Sequence, residues 1–246
     1  MGISKVLIAQ SAPANQAPYG EVSGKFGVTI DFLPFYKIEP LTSREFRSQR
    51  INIPEYTAIV FSSRHSIDAF FAICEDLRYK VPDTMKYFCT TEAVAVYLQK
   101  HIVFRKRKIF YGSGTPQSVL ALVTAKHKGE KFLITTTAGG HGDVMSRLFE
   151  SAGLDATVAA FVKAVSQDIK SCNIASYDLI VMCNPADLLS LKENFPQLDL
   201  KEKVIVTFGR HIVQVLEAEG VRIAVQAPTP EVPSIAKALE TYLSSQ

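Results

Sequence analysis

A short polar turn between a strand-like run and a helix-like pattern is the first candidate for chemistry. In IVFSSRHSIDAFF, residues 59–71, Ser62, Ser63 and Arg64 follow an apolar run and precede apolar residues at helical spacing. A strand that feeds a helix in this way leaves free backbone N–H groups and the positive end of a helix dipole. The turn therefore predicts a carboxylate or phosphate site, with helix capping by Ser62 or Ser63 as an alternative or additional role.

Composition indicates an ordinary globular protein. The chain has 246 residues, of which 47% are hydrophobic and 21% charged, which fits one large domain or two small ones. No apolar run reaches membrane-spanning length and no signal peptide is recognisable, so we expect a cytoplasmic protein without a membrane partner. The net charge of +3 is too small to indicate nucleic-acid binding.

Cysteine and histidine spacing does not suggest a metal site. Cys74, Cys89, Cys172 and Cys183 lie far apart, and the five histidines show no paired metal-ligand spacing. We expect reduced structural thiols and no bound metal.

Strand-like and helix-like segments alternate along the chain. Strands are predicted at 5–9, 28–34, 58–61, 86–89, 108–110, 132–136, 156–162, 179–183, 204–207 and 221–225. Helices are predicted at 15–26, 43–49, 66–78, 92–99, 116–126, 143–152, 185–194, 210–219 and 232–243. This alternation predicts parallel sheets covered by helices on both faces, with ligands at the carboxyl ends of the strands.

The chain also repeats a pattern at long range. The strand, polar turn and helix at 179–191 echo those at 58–70, and the unit at 203–216 echoes 86–98. We therefore expect two similar α/β domains with a cleft. The predicted boundaries are 1–36 plus 164–246 for the first domain and 37–163 for the second, with hinge-like crossings near 28–40 and 156–166.

Five segments, taken in order, resemble one known family. They are the strand-SSR-helix at 58–71, FCTTEAVAVYL at 88–98, FLITTTAGGHGDVMSRLFESAGLDATVAAFVKAV at 132–165, the strand-NP-helix at 179–191 and VTFGRHIVQVLEAEGVRIAVQAPTPEVPSIAKAL at 206–239. Together they are similar to uroporphyrinogen-III synthases, and the region 86–110 looks like the Bacteroidetes-type branch. The resemblance implies two similar parallel-sheet α/β domains joined by a two-stranded ladder.

The resemblance also implies an activity. Enzymes of this family cyclise linear hydroxymethylbilane, with inversion of the terminal pyrrole ring, to uroporphyrinogen III in heme biosynthesis. Such an enzyme is a lyase that needs no cofactor and acts mainly by orienting its substrate. The expected partner is hydroxymethylbilane, handed over by porphobilinogen deaminase, and we expect a monomer.

Turns of the second domain match the family unevenly. Ser62-Ser63 stands where the family usually has Thr-Ser. In the next turn Val94 replaces a threonine, although Thr90 and Thr91 are close enough to substitute. The loop 135–142 occupies the family's glycine-rich turn, where it could bind an anion or be a surface loop; His141 is expected to be an exposed loop residue and Asp143 to lie in the first turn of the following helix.

The remaining positions depart further. Phe161 stands where the family often has a tyrosine proposed to help the hydroxyl leave. Cys183-Asn184-Pro185 replaces Thr-Ser-Pro, Gly209-Arg210-His211-Ile212 replaces Gly-x-x-Thr, and Gln10-Ser11-Ala12-Pro13 lacks the arginine of Thr-Arg-Pro. Arg210 either contacts a carboxylate or is a solvated helix residue. The resemblance assigns no catalytic group and assigns substrate binding to Ser62, Ser63, Arg64, Thr90, Thr91, Thr137, Gly139, Gly140, Phe161, Asn184, Pro185, Gly209 and Arg210.

Two other functions stand as alternatives to the synthase. The lost hydroxyls at Val94, Phe161 and Ile212 suit a non-catalytic homologue that binds a tetrapyrrole or another polycarboxylate. A two-domain binding protein for a small anion is disfavoured because no export signal is recognisable. Nucleotide enzymes are disfavoured because neither GxxxxGK[ST] nor a GxGxxG after the first strand occurs.

Overall fold

The structure is a computed structural model that describes residues 2–140 and 144–246. It divides the chain into two compact units. Unit 1 comprises Met1–Lys37 and Val165–Gln246, and unit 2 comprises Ile38–Ala164. Unit 1 is therefore discontinuous in sequence, because unit 2 is inserted between Lys37 and Val165.

Strands and helices alternate through most of the chain. The strands are β1 (Lys5–Ile8), β2 (Thr29–Phe32), β3 (Tyr36–Pro40), β4 (Ala58–Phe61), β5 (Lys86–Cys89), β6 (Ile109–Tyr111), β7 (Phe132–Ala138), β8 (Ala156–Ser166), β9 (Leu179–Met182), β10 (Val204–Phe208) and β11 (Ile223–Ala227). The α-helices are α1 (Ala17–Phe26), α2 (Ser43–Ser48), α3 (Arg64–Asp76), α4 (Glu92–Tyr97), α5 (Pro116–Lys126), α6 (Val144–Ser151), α7 (Pro185–Asn194), α8 (Arg210–Ala218) and α9 (Ile235–Leu243). Short 3₁₀ helices occur at Ile53–Glu55, Leu98–Lys100, Ile174–Ser176 and Leu200–Glu202.

Unit 1 contains a five-stranded parallel sheet with the strand order β11-β10-β9-β1-β2. Successive side chains of its interior strand β1 point to opposite faces, as the pleat requires. Leu7 joins one buried cluster with Leu188 of α7, whereas Val6 joins another with Leu239 of α9. Both faces are thus buried, which explains why its strands read as continuous apolar runs.

Unit 2 contains a six-stranded sheet with the order β3-β8-β7-β4-β5-β6. The pairs from β8 to β6 are parallel. Ile59 packs with Phe70 of α3 on one face, and Val60 packs with Phe149 of α6 on the other. The α/β class with parallel sheets, predicted from the sequence, is therefore confirmed.

The edge strand β3 pairs with β8, and both strands run across the division between the units. The backbone N–H of Leu41 donates to the carbonyl of Phe161, and that of Gln167 donates to the carbonyl of Phe35. The residue numbers rise along one strand as they fall along its partner, so β3 and β8 are antiparallel. The sequence predicted a crossing segment here but no separate strand β3, because Tyr36–Pro40 lacks a clear apolar period.

Element boundaries shift where capping decides them. The predicted start of the third helix was residue 66, but α3 begins at Arg64 because the Ser63 side chain accepts a hydrogen bond from the Ser66 N–H. Likewise α9 begins at Ile235, after a Ser234 cap, rather than at residue 232. Among the described residues, no helix is long and apolar enough to cross a lipid bilayer.

Candidate functional site

The strand orders single out one place in each sheet where ligands commonly bind. In unit 2 the sequence order reverses between β4 and β7, and in unit 1 it reverses between β1 and β9. Loops that follow neighbouring strands on either side of such a switch point diverge and leave a crevice. After β4, β7 and β9 come Ser62 and Ser63, Gly139 and Gly140, and Cys183 and Asn184, which belong to three of the turns singled out by the sequence.

The turn before α3 offers two unused donors. Ser63 caps the helix by accepting from the Ser66 N–H at 3.1 Å, and the Ser66 hydroxyl donates to the Ser63 carbonyl at 2.8 Å. The backbone N–H groups of Arg64 and His65 have no acceptor within the described residues. Ser62 is exposed beside them. Capping and anion binding are therefore compatible here, because the cap uses a different N–H group.

The turn before α4 lies against the first one. The Thr90 hydroxyl donates to the Ser62 carbonyl at 3.3 Å, which ties the two turns together. Thr91 accepts from the Val94 N–H at 3.3 Å and so caps α4. Val94, which the resemblance predicted to replace a threonine of the family, is buried at 8% exposure and contributes to the core of unit 2.

The third turn of unit 2 differs from the predicted loop. Residues 135–138 belong to β7, so Thr137 lies in a strand, next to a register shift in its pairing with β8. Gly139 has φ of 75°, and the Gly140 N–H donates to the Thr137 carbonyl at 3.0 Å. The predictions for His141 and Asp143 lie outside the described residues.

Phe161 occupies the core rather than the surface. Its side chain is 0% exposed, and its ring lies 4.8 Å from that of Phe46 and 5.5 Å from that of Phe70, measured between centroids. It therefore presents no surface to a substrate in this structure. Sequence alone does not reveal this, because both Phe161 and its neighbour Val162 on β8 are buried, which masks the usual alternation.

The turn before α7 in unit 1 is already filled by its own side chains. Asp187 Oδ2 accepts from the backbone N–H groups of Cys183 at 2.8 Å and Asn184 at 2.9 Å. Asn184 Oδ1 accepts from the Ala186 N–H at 3.0 Å, and Pro185 has no N–H to offer. A carboxylate of the protein thus stands where a ligand carboxylate would bind, so this turn has little capacity left for an anion.

Sequence reasoning did not identify Asp187, although a signal was present. Asn184 and Asp187 have the spacing of a capping box, which the structure contains. The side chain is completely buried, and Oδ1 has no hydrogen-bond partner. Burial raises the pKa of Asp187 to about 6, against the lowering effect of the two N–H groups that donate to Oδ2.

The turn before α8 retains donors but is shaped by packing. A Cβ on Gly209, whose φ is 152°, would lie 2.7 Å from the Cys183 carbonyl oxygen. The glycine is therefore required by close contact with the neighbouring turn of its own sheet. The N–H groups of Arg210 and His211 have no acceptor in the described chain, and the Arg210 side chain is exposed.

Taken together, the turns suit anion binding rather than acid–base or metal chemistry. Unit 2 brings Ser62, Ser63, Arg64, Thr90 and Thr91 to one edge of its sheet, with free N–H groups at α3 and α4. No group of three His, Cys, Asp or Glu side chains within residues 2–140 and 144–246 could hold a metal ion. What these turns can do is bind and orient a ligand that carries several carboxylates.

Two solved structures share this fold. Uroporphyrinogen-III synthetase from Helicobacter pylori superposes with a TM-score of 0.58 at 14% identity, covering 99% of this chain and 100% of that one. A mutant uroporphyrinogen III synthase from the extremely thermophilic bacterium Thermus thermophilus gives a TM-score of 0.50 at 13% identity, again covering 99% and 100%. At such identities the likeness establishes the fold alone.

The sequence itself supplies the stronger match. No curated protein matches the chain. The sequence profile of the HEM4 family, described as Uroporphyrinogen-III synthase HemD, matches residues 19–237 and so spans most of both units. The chain therefore belongs to the uroporphyrinogen-III synthase family.

Proposed function

We propose that this protein is a uroporphyrinogen-III synthase that converts hydroxymethylbilane to uroporphyrinogen III, with inversion of the terminal pyrrole ring. The observation that carries the proposal is the family match over residues 19–237. The polar strand-to-helix turns of both units support it, because the substrate carries an acetate and a propionate on each ring. The enzyme is a lyase of heme biosynthesis.

Binding of the substrate carboxylates is assigned to turns that retain free donors. At α3 these are the Arg64 and His65 N–H groups with the nearby hydroxyl of Ser62, and at α8 they are the Arg210 and His211 N–H groups. Backbone N–H groups at a helix N-terminus bind an anion with help from the helix dipole. Asn184 and Pro185 shape their turn instead, since its N–H groups are already bonded.

The chemistry requires orientation more than proton transfer from the protein. The pyrrole nitrogen pushes electrons toward the departing hydroxyl, so the bond ionises readily. The terminal ring then attacks through a spiro intermediate before the macrocycle closes. Holding the substrate in one folded geometry selects this route over direct closure to the symmetric type I isomer. A buried Phe161 in place of tyrosine fits a mechanism in which that hydroxyl is dispensable.

Further parts of the proposal concern the cellular setting. The enzyme acts as a cytoplasmic monomer and receives hydroxymethylbilane from porphobilinogen deaminase. The chain forms two domains with boundaries at 1–36 plus 164–246 and 37–163, each within one residue of the bounds of the compact units. Gel filtration with light scattering tests the monomer, and limited proteolysis tests the boundaries.

A coupled assay tests the activity. Porphobilinogen deaminase generates hydroxymethylbilane in the presence of this protein, and the products are oxidised and separated into type I and type III porphyrins by chromatography. The proposal expects type III as the main product, whereas deaminase alone gives type I. Type I alone in the presence of folded protein, together with tight binding of uroporphyrin III, would instead identify a binding homologue.

A further inference from the structure

Arg64 has no ion-pair partner in the described part of the chain, although an acid stands four residues later on the same helix. Arg64 and Asp68 both lie in α3, at a spacing that commonly allows an ion pair. The Arg64 guanidinium instead lies over the ring of Tyr97, with its Cζ atom 5.4 Å from the ring centroid. Something therefore keeps Asp68 from neutralising Arg64.

Both oxygens of Asp68 are engaged elsewhere. Oδ2 accepts from the Tyr97 hydroxyl at 2.7 Å, and Oδ1 lies 2.7 Å from His101 Nε2. Partial burial acts to raise the pKa of Asp68, but the bonds from Tyr97 and His101, together with the nearby Lys100 and His101 charges, outweigh it and lower the pKa. Asp68 is thus held as an ionised acceptor that faces α4 and the segment after it.

The partners of Asp68 are themselves fixed. The His101 ring stacks on that of Phe71, with centroids 4.6 Å apart and planes 5° from parallel. Lys100 Nζ donates to the Tyr97 hydroxyl oxygen at 2.9 Å. The Tyr97 hydroxyl therefore donates to Asp68 and accepts from Lys100. The ring of Tyr97 contacts the Arg64 guanidinium.

We propose that Tyr97 and His101 are positioning residues that hold Asp68 away from Arg64, which leaves the Arg64 guanidinium available for a substrate carboxylate. An arginine in the first turn of a helix faces the positive end of the dipole, which is unfavourable unless an anion binds there. The unused N–H groups of Arg64 and His65 at the same helix end provide the rest of such a site. This inference rests on the proposed synthase activity.

Two conservative substitutions release Asp68 without removing the rings. Tyr97→Phe keeps the ring under Arg64 and loses the hydroxyl, and His101→Phe keeps an aromatic ring to stack on Phe71 and loses the hydrogen bond. In the double variant Asp68 is free to pair with Arg64. We expect the KM for hydroxymethylbilane to rise about tenfold, the effect of one charge-assisted hydrogen bond, while kcat changes less than about twofold.

A third substitution separates this role from a structural one. Asp68→Asn in the double variant removes the charge that would neutralise Arg64, so the KM should return to within about twofold of the wild-type value. In an Arg64→Gln background, the same double substitution should leave the KM unchanged. If the double variant melts early, Tyr97→Phe alone, with and without Asp68→Asn, provides the same comparison.

The outcomes distinguish this inference from the proposed function. Wild-type protein that yields only type I product refutes the synthase activity itself. Active wild-type protein with an unchanged KM in the double variant, or a raised KM that Asp68→Asn does not restore, overturns the positioning role while leaving the activity standing.

Discussion

Asp187 should make the folded state lose stability as the pH rises from 4 to 7. Burial without a partner for Oδ1 raises its pKa from 3.8 to about 6. The folded state therefore binds this proton more tightly than the unfolded chain does. Its stabilising contribution is fully present below pH 3.8, the unfolded value, and is lost as the pH rises through the folded value of about 6.

The size of the effect follows from the shift. A difference of about two pKa units, at 1.36 kcal/mol per unit, corresponds to at most about 3 kcal/mol of unfolding free energy. That is a large fraction of the stability of a typical domain. The two N–H donors to Oδ2 are already included in this value, because they act on the same carboxylate.

Urea unfolding at a series of pH values measures the effect against Asp187→Asn. The asparagine oxygen can still accept from the Cys183 and Asn184 N–H groups, but the side chain does not titrate. The unfolding free energy of wild type minus that of the variant should fall by about 2–3 kcal/mol between pH 4 and pH 7.

Asp178→Asn is the matched control with the opposite sign. Hydrogen bonds from the Ser4 and Lys5 backbone N–H groups and the Ser4 hydroxyl lower the pKa of Asp178. Its contribution is present above the unfolded pKa and lost as the pH falls through the folded one. A difference curve for Asp187→Asn that is flat, or that slopes like the Asp178→Asn curve, would refute the reasoning.

Three further predictions concern the candidate turns and the core. In chemical denaturation, Gly209→Ala should destabilise the protein by about 2 kcal/mol more than Gly220→Ala. Both glycines have positive φ, but only at Gly209 would an added Cβ lie 2.7 Å from a carbonyl oxygen. Equal losses would contradict this. Phe161→Tyr should lower stability by about 1–3 kcal/mol, because the added hydroxyl enters a fully buried cluster. The type III yield per folded molecule should stay unchanged. A clear gain in activity would show that the hydroxyl reaches the substrate. Ser63→Ala and Thr115→Ala remove the N-caps of α3 and α5, and each should lose about 1 kcal/mol of stability. Only Ser63→Ala should raise the KM in the coupled assay, because the helix end that Ser63 caps carries the Arg64 and His65 N–H groups assigned to the substrate. Equal kinetics would restrict Ser63 to capping.

The sequence was informative about the fold because both sheets are buried on two faces. Strands such as Val6–Ile8 read as continuous apolar runs, and polar turns separate them from helices with their own period. Parallel α/β architecture follows from that alternation. Strand β3 was not predicted as a separate strand because no local pattern marks it. It is a strand because it pairs with β8, which lies at the other end of the inserted unit 2.

The sequence could locate the candidate turns but not their remaining capacity for a ligand. Ser63, Thr91 and Asn184 all precede helices and all look alike as caps. Whether N–H groups stay free depends on side chains that fold back, as Asp187 does onto Cys183 and Asn184. The short spacing in sequence allows the Asp187 carboxylate to reach these N–H groups. The burial of that carboxylate is decided only by the tertiary structure.

The roles of single residues were decided by tertiary contacts. The resemblance predicted Phe161 at the position of the family's tyrosine, whereas the structure packs it into the core against Phe46 and Phe70. Arg64 and Asp68 have ion-pair spacing, yet Tyr97 and His101, about 30 residues away, take the carboxylate. Sequence determines which groups can interact along one helix or strand; packing between elements distant in the chain determines which of those interactions form.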